Sequence, residues 1–430
     1  MINDETGQRA ALPVANQEVP FDFAELFFSR TSRAGIIQSG NSVFQRVSLY
    51  PWEELIGKPH NVIRHPDMPR AVFWLLWNAI KQDKPIGAYV KNRAKDGRYY
   101  WVYAIITPVE DGYLSVRLKP SALLPLVEKE YKALAAAEAE GKLRPKESAA
   151  LLLERLAELG YENYESFMTA ALNQELIARA HEQSTEPDRS IKSFDRLVAQ
   201  AKSLIAGAQT IFSAYEANKY VPINLSIQAA QLGAAGTTIG VISENYNIIS
   251  TEIKENLNVF IASAQKVLQA IVAGQFQFCT AKVQQEVADF FRNEKSSAQS
   301  SADDTALLDF QREEYRQKAE TALRDIVGQA ARFEQDCSAM KHLAAGLEVT
   351  RVMGMMESAR LPTAREGLDG LIGDLKSFQV SIASSLTKID GINKDVQYDA
   401  SSLLRTTAAS GKTTPAPVRE QPAMELRPAA

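Results

Sequence analysis

Cysteine is nearly missing from this chain: 430 residues contain only Cys279 and Cys337. So few and so far apart, they make neither a metal-ligand spacing nor a disulfide framework, and they fit a reducing compartment. Neither charge is in large excess. Lys and Arg number 48 against 52 Asp and Glu, a net charge of −4, so no global basic field points to nucleic acid or to an anionic lipid surface. The opening MINDETGQRAALPVANQEVP has no apolar core, which excludes a secretory signal there. The nearest approach to a membrane span, Leu225 to Ile242, contains two glutamines and three glycines. It falls short of the ~20 strongly apolar residues that a bilayer requires. Phosphate-cradling loops, nucleophile elbows, zinc spacings and a histidine-kinase ATP motif are all missing. His181 and His342 fall in helical stretches and read as solvated face residues. The expectation is a soluble, cytoplasmic protein with no membrane span and no enzyme activity.

What is present is ordinary globular composition, 45% apolar and 23% charged, over a length that allows about two to four domains. Residues 1–18 read as a disordered leader. Residues 19–120 mix short strands and short helices: FFSRTS and RAGIIQS around a turn at Ala34–Gly35, a helix NSVFQRVSL capped by Asn41, and PWEELIG between Pro51 and Gly57. A longer helix, RAVFWLLWNAIKQD, comes next. Then IGAYVKNRA, RYYWVYAIITPV and YLSVRLK are separated by Asp-Gly turns at Asp96–Gly97 and Asp111–Gly112, a strong hairpin signal. Residues 121–189 read as a helical connector. Residues 190–405 read as long amphipathic helix; Phe194, Leu197, Val198, Leu204, Ile205 and Ile211 share one stripe. Residues 406–430, rich in Pro, Ala and Thr, read as a disordered tail.

Within the first domain, NVIRHPDMPR from Asn61 to Arg70 is the unusual stretch. It is too polar for a core and too constrained by Pro66 and Pro69 for a plain surface helix. Arg64, His65 and Asp67 stand side by side in it. Arg64 and Asp67 can form a surface ion pair that closes a helical turn. Trp74 and Trp77 do not share one face perfectly, so Trp74 reads as core and Trp77 as pocket. Asn41 can be a helix cap and nothing more, whereas Asn92 stands in a strand, where asparagine is disfavoured.

The element order resembles a PAS domain: an α+β fold with a five-stranded antiparallel sheet and short helices, here followed by an all-α long-helix bundle or coiled coil. GIIQSGNSVFQRVSLYPWEELIGKPHNVIRHPDMP and the following MPRAVFWLLWNAIKQDKPIGAYVKNRAKDGRYYWV resemble the FAD-binding PAS domain of bacterial aerotaxis receptors. That resemblance covers roughly the first quarter of the chain. It implies noncovalent FAD, with Asn41, Arg64, His65, Asp67, Trp77 and Asn92 as cofactor-binding residues. The chemistry agrees: a diphosphate suits the donors of Arg64 and His65, and an isoalloxazine suits stacking by Trp77 and hydrogen bonds from Asn41 and Asn92. His60 and His65 leave haem b open as an alternative, since either can ligate iron. A cofactor-free PAS scaffold is a further alternative.

In the helical half, VPINLSIQAAQLGAAGTTIGVISENYNIIS resembles the hairpin tip of chemoreceptors, the methyl-accepting chemotaxis proteins. Ile227, Ala229, Ala230, Gly233, Gly236, Val241 and Ile242 fall in register. Gln228, Gln231 and Ala234 replace charged residues that help form the tip engaging the histidine kinase and its coupling protein. The combined reading is a redox, oxygen or energy sensor with aerotaxis- or chemotaxis-like output. It would be a homo-oligomer, with the coupling protein and kinase as candidate partners and a hairpin tip near 225–245.

Overall fold

The computed structural model describes residues 17–141, 143–294, 302–361 and 365–410. Residues 1–16 and 411–430, the bulk of the expected leader and tail, lie outside the described residues. Five strands, β1 (Phe27–Ser32), β2 (Ile37–Gly40), β3 (Ile86–Arg93), β4 (Tyr99–Val109) and β5 (Gly112–Leu118), form one antiparallel sheet in the order β2-β1-β5-β4-β3. Between β2 and β3 run α1 (Ser42–Ser48), α2 (Trp52–Leu55), a 3-10 turn at His60–Ile63, and α3 (Arg70–Ile80). They cover one face of the sheet. The Gly35 turn joining β1 and β2 has φ +76°, a conformation that glycine reaches without steric cost.

The other face is covered as well. Three connector helices, α4 (Leu124–Gly141), α5 (Pro145–Glu158) and α6 (Tyr164–Glu182), follow the sheet. Tyr103 of β4 donates to the Met168 carbonyl of α6 at 2.6 Å, and Tyr164 Oη donates to the Gly87 carbonyl of β3 at 3.1 Å. Burial on both faces explains why all seven residues of β5 are buried and why its apolar alternation is weak.

The remainder is a four-helix bundle closed within one chain. Helices α7 (Arg189–Asn218) and α8 (Val221–Gln231) rise to a tight 3-10 turn at Gly233–Gly236, and α9 (Thr237–Asn293) returns to the sheet. Helices α10 (Ala302–Ser358) and α11 (Arg365–Ser410) make a second hairpin. Helix α9 packs on α7, α8 and α10, and α11 packs on α10, α7 and α8. Gly354 lies against Ile242 and Ile372, which puts both tips at the same end. Close approach depends on small residues: a Cβ on Gly207 would come within 2.7 Å of Ile389, and one on Gly274 within 2.8 Å of Ile326. The stripe residues Phe194, Leu197, Leu204 and Ile211 are fully buried inside this bundle, so they need no second chain to cover them. Helix α11 continues to Ser410, beyond the boundary expected at 405.

The apolar run from Leu225 to Ile242 is interrupted by the turn at Gly233–Gly236. One segment, Gly233–Asn293, is nevertheless long and apolar enough by length and composition to cross a membrane. In the fold it is a central helix of the bundle, with Ile253, Leu257, Phe260, Val267 and Ile271 buried against its neighbours.

Candidate functional site

The helix α3, the 3-10 turn and the inner face of the sheet enclose a cavity of about 230 Å³. It opens beside Ala34, Arg64, Phe73 and Trp77 into an outer groove of about 880 Å³. The inner cavity is largely apolar, with Leu76, Ile80, Val90, Ala104 and Ile106 on its walls. Period-2 alternation directs Val90 and Asn92 of β3, Ala104 and Ile106 of β4, and Tyr113, Ser115 and Arg117 of β5 to the same side.

Its polar groups are few and under-satisfied. Asn92 is 2% exposed and its Nδ2 has no partner; Arg64 Nε and Arg117 Nη1 are likewise buried without one. Unpaired buried donors cost about 1–3 kcal/mol each, so three on one cavity wall point to a ligand that accepts hydrogen bonds. Arg117 gives its Nη2 to Ser29 Oγ at 2.8 Å and to His60 Nε2 at 2.6 Å. It makes no ion pair among the described residues. Burial pulls its pKa down to about 10, so it remains a cation at neutral pH. His60 accepts from that cation at Nε2, which fixes a neutral ring protonated at Nδ1. Burial, and then the Arg117 charge, push the His60 pKa down to about 3.

Arg64 stands where cavity and groove meet, its guanidinium 3.5 Å from the centre of the Phe73 ring. Burial lowers its pKa from the usual value. The groove continues with Arg33, Arg70 and Lys81 beside Trp74, Asn78 and Pro145. Arg33 is paired with Asp83 at 2.8 Å. Among the described residues no carboxylate lines the groove, and Arg64, Arg70 and Lys81 leave its field positive.

Of the six residues singled out from sequence, the structure brings Arg64, Trp77 and Asn92 together on the cavity wall and leaves three outside it. Asn41 caps α1: its Oδ1 accepts from Phe28 N at 3.2 Å and Phe44 N at 3.4 Å, and its Nδ2 donates to Leu26 O at 3.0 Å and Glu294 Oε1 at 3.3 Å. A side chain so occupied has no group left for a ligand. His65 is fully buried on the other side of the strap, its ring 6.3 Å from that of Tyr99. Its Nδ1 accepts from Asp67 N at 3.2 Å, and burial, then the Lys91 charge, hold its pKa down to about 4. Asp67 points to solvent and pairs with Lys91 at 2.9 Å; it does not pair with Arg64.

NVIRHPDMPR is therefore a strap sewn onto β3. Arg64 bridges Asn92, His65 N donates to Lys91 O at 3.3 Å, and Lys91 N meets Met68 Sδ at 3.2 Å. Those contacts hold Arg64 beside Asn92. Sequence reasoning missed Arg117 and Ser115. The clue was a charged residue at the period-2 positions of YLSVRLK, which is readable only once both faces of β5 are known to be buried.

With this geometry in view, the N-terminal module is a PAS domain. Residues 39–116 match the family model described as PAS fold. The chain is 39% identical over 127 residues to the aerotaxis receptor of Escherichia coli (strain K12), a match covering 28% of this chain and 25% of that protein. It thus spans about a quarter of the length of the curated relative it matches. Among solved structures, a PAS domain from Colwellia psychrerythraea is similar at 20% identity over 22% of this chain and 85% of that one, TM-score 0.21. The LOV domain of an Erythrobacter litoralis blue-light activated histidine kinase is similar at 17% identity over 21% of this chain and 90% of that one, TM-score 0.20. Long helices, α7 to α11, follow this module.

Proposed function

We propose that this protein is a soluble, cytoplasmic redox sensor that holds FAD in its PAS domain and signals through its helical bundle. The observation carrying the reading is the three unpaired buried donors, Asn92 Nδ2, Arg64 Nε and Arg117 Nη1, on an apolar cavity that opens into a basic groove. An apolar slot with a few convergent donors suits a flat heteroaromatic ring, and a groove without carboxylates suits a diphosphate. When bound, FAD supplies a ring whose charge and hydrogen-bonding pattern change with oxidation state. Arg117 holds a positive charge on the cavity wall and would favour the more negative state of such a ring. Asn92 offers an amide whose orientation follows the ring's donors and acceptors. Trp77 walls the slot, with its ring 6.1 Å from that of Tyr113. Arg64, Arg70 and Lys81, which line the groove, would hold the phosphates.

Haem suits the cavity less well: among the described histidines only His60 lines it, and its Nε2 is already taken by Arg117. Output passes to chemotaxis partners, a coupling protein and a histidine kinase, at the paired tips. Large apolar side chains stand exposed there, among them Tyr220, Ile223, Val241, Met355 and Met356, and self-association uses the same end. The protein carries out no catalysis of its own.

Titration of the cofactor-stripped chain with FAD, FMN and riboflavin tests this. FAD should bind stoichiometrically and more tightly than riboflavin, and the gap should shrink in Arg70→Ala/Lys81→Ala. Equal affinity for FAD and riboflavin would remove the groove from the reading, and no binding of any flavin would overturn it.

A further inference from the structure

We propose that helix α4 is a strap joining the two walls of the cavity, fastened at one end by Glu175 and at the other by Glu138, so that a change at either wall is felt at both. The inference rests on the reading that the cavity holds the cofactor, and it assigns the route by which that site is coupled to the bundle.

Glu175, on α6, is fully buried. Its Oε1 accepts from Tyr89 Oη at 2.6 Å and Leu123 N at 3.1 Å, and its Oε2 from Ser121 N at 2.6 Å and Ala122 N at 3.0 Å. Tyr89 is on the outer face of β3, next to Val90 and close to Asn92, which line the cavity on the inner face. Ser121–Leu123 lead from β5, the strand of Arg117, into α4. One carboxylate therefore ties together β3, the exit of β5, the start of α4, and α6.

Glu138, in the last turn of α4, is buried too. It accepts from Arg70 N at 3.0 Å, Ala71 N at 3.2 Å and Ser148 Oγ at 2.5 Å. The first two are orphan donors at the start of α3, whose own cap residue, Pro69, provides no side-chain bond. Glu138 is thus the missing cap, and its charge is well placed at a helix N-terminus. Helix α3 in turn carries Phe73, Leu76, Trp77 and Ile80 onto the cavity.

Neither glutamate makes an ion pair among the described residues, so each buried charge is balanced by hydrogen-bond donors alone. Such a carboxylate tolerates the loss of a donor poorly, which makes each fastening stiff. From Leu124 to Glu138 α4 rises about 21 Å, with Val127, Tyr131 and Leu134 buried along its length. Beyond Glu175, α6 packs on α9, and Arg179 pairs with Glu286. Burial, followed by the Glu175 charge, raises the Tyr89 pKa, so its hydroxyl stays a donor at any working pH.

Peptide-resolved hydrogen exchange on the full chain tests the strap, with FAD oxidised and then reduced anaerobically by dithionite, in wild type, Tyr89→Phe, Glu138→Gln and the milder Ser148→Ala. Reduction should alter exchange at Ser121–Leu123 and at Arg70–Ala71 together. Tyr89→Phe, which does not touch the cavity, should keep FAD yet speed exchange at Ser121–Leu123 by about tenfold and abolish the redox-dependent difference in α6 and α9. Glu138→Gln should weaken FAD binding, with Ser148→Ala doing the same less strongly. Wild type that holds FAD but shows the same α4 exchange in both redox states would overturn the strap while sparing the cofactor reading. If wild type takes no FAD, the cofactor reading fails and the strap is judged without it. Glu138→Gln must then still speed exchange at Ser121–Leu123, the far end of α4. Acceleration confined to Arg70–Ala71 would overturn the strap.

Discussion

The PAS domain and the helical bundle bury polar groups in different ways. In the PAS domain three unpaired donors converge on one cavity: Asn92 Nδ2, Arg64 Nε and Arg117 Nη1. In the bundle Tyr246 Oη, Tyr315 Oη and Asn393 Oδ1 lie on three different helices, and Gln277 Oε1, Thr280 Oγ1 and Gln284 Oε1 follow one another along α9 without lining that cavity. Convergence of unmet hydrogen bonds marks a binding site, whereas scattered ones accompany a packing core. On the proposed reading, the PAS domain accepts a cost in stability to hold a ligand, and the bundle transmits its state.

Substitutions in the bundle core should give the largest stability losses and leave the cofactor alone. Phe260 and Phe333 stack at 4.8 Å and are fully buried, so Phe260→Ala should cost about 3–5 kcal/mol by chemical denaturation, with flavin per folded molecule unchanged. Next in size, Arg117→Met should behave in the opposite sense. Arg117 is a buried cation with no carboxylate partner among the described residues, so removing it should stabilise the cofactor-free protein while weakening FAD binding. A variant that both bound FAD normally and lost stability would erase the contrast between the two regions.

Arg64→Ala should weaken FAD binding by about 10–100-fold in a fluorescence titration, the worth of a charge-assisted contact, with little change in the fold. The pH dependence is a slope rather than a single step. His60 and His65 have folded pKa values lowered to about 3 and about 4, so they bind fewer protons folded than unfolded. Stability therefore rises with pH across that interval. As pH falls from about 6.5 it should decline by up to about 1.4 kcal/mol per unit for each histidine. A flat stability profile between pH 7 and 5 would contradict the buried neutral rings. Smallest of all, Asp67→Asn should change stability by less than about 1 kcal/mol, because Asp67 is exposed, its ion pair is with Lys91 at the surface, and its neighbour His65 is neutral at working pH.

The fold was readable in the sequence where local chemistry decides it. Asp-Gly turns, the Asn41 cap and the apolar stripe of α7 each give a short-range rule that the tertiary structure did not override. The site was half readable. Arg64, His65 and Asp67 are neighbours in sequence, but the backbone at Arg64 is extended, φ −69° and ψ 132°, so successive side chains leave on opposite sides. Only Arg64 turns inward. Asn41 was ambiguous between cap and ligand, and the cap used all its capacity. Arg117 escaped notice because β5 is buried on both faces, which hides the alternation that would have exposed it. That the bundle closes on itself was equally hidden. Amphipathic stripes show that a helix needs partners but not whether those partners belong to the same chain.

The central claim is that the PAS cavity holds FAD, and the most direct measurement is the absorbance spectrum of the purified full-length protein, with the cofactor released by denaturation and identified. The expected result is an oxidised flavin spectrum at one FAD per chain, with less FAD per chain in Arg64→Ala. A colourless wild type that also takes up no added FAD, or a Soret band in place of flavin absorbance, would contradict it.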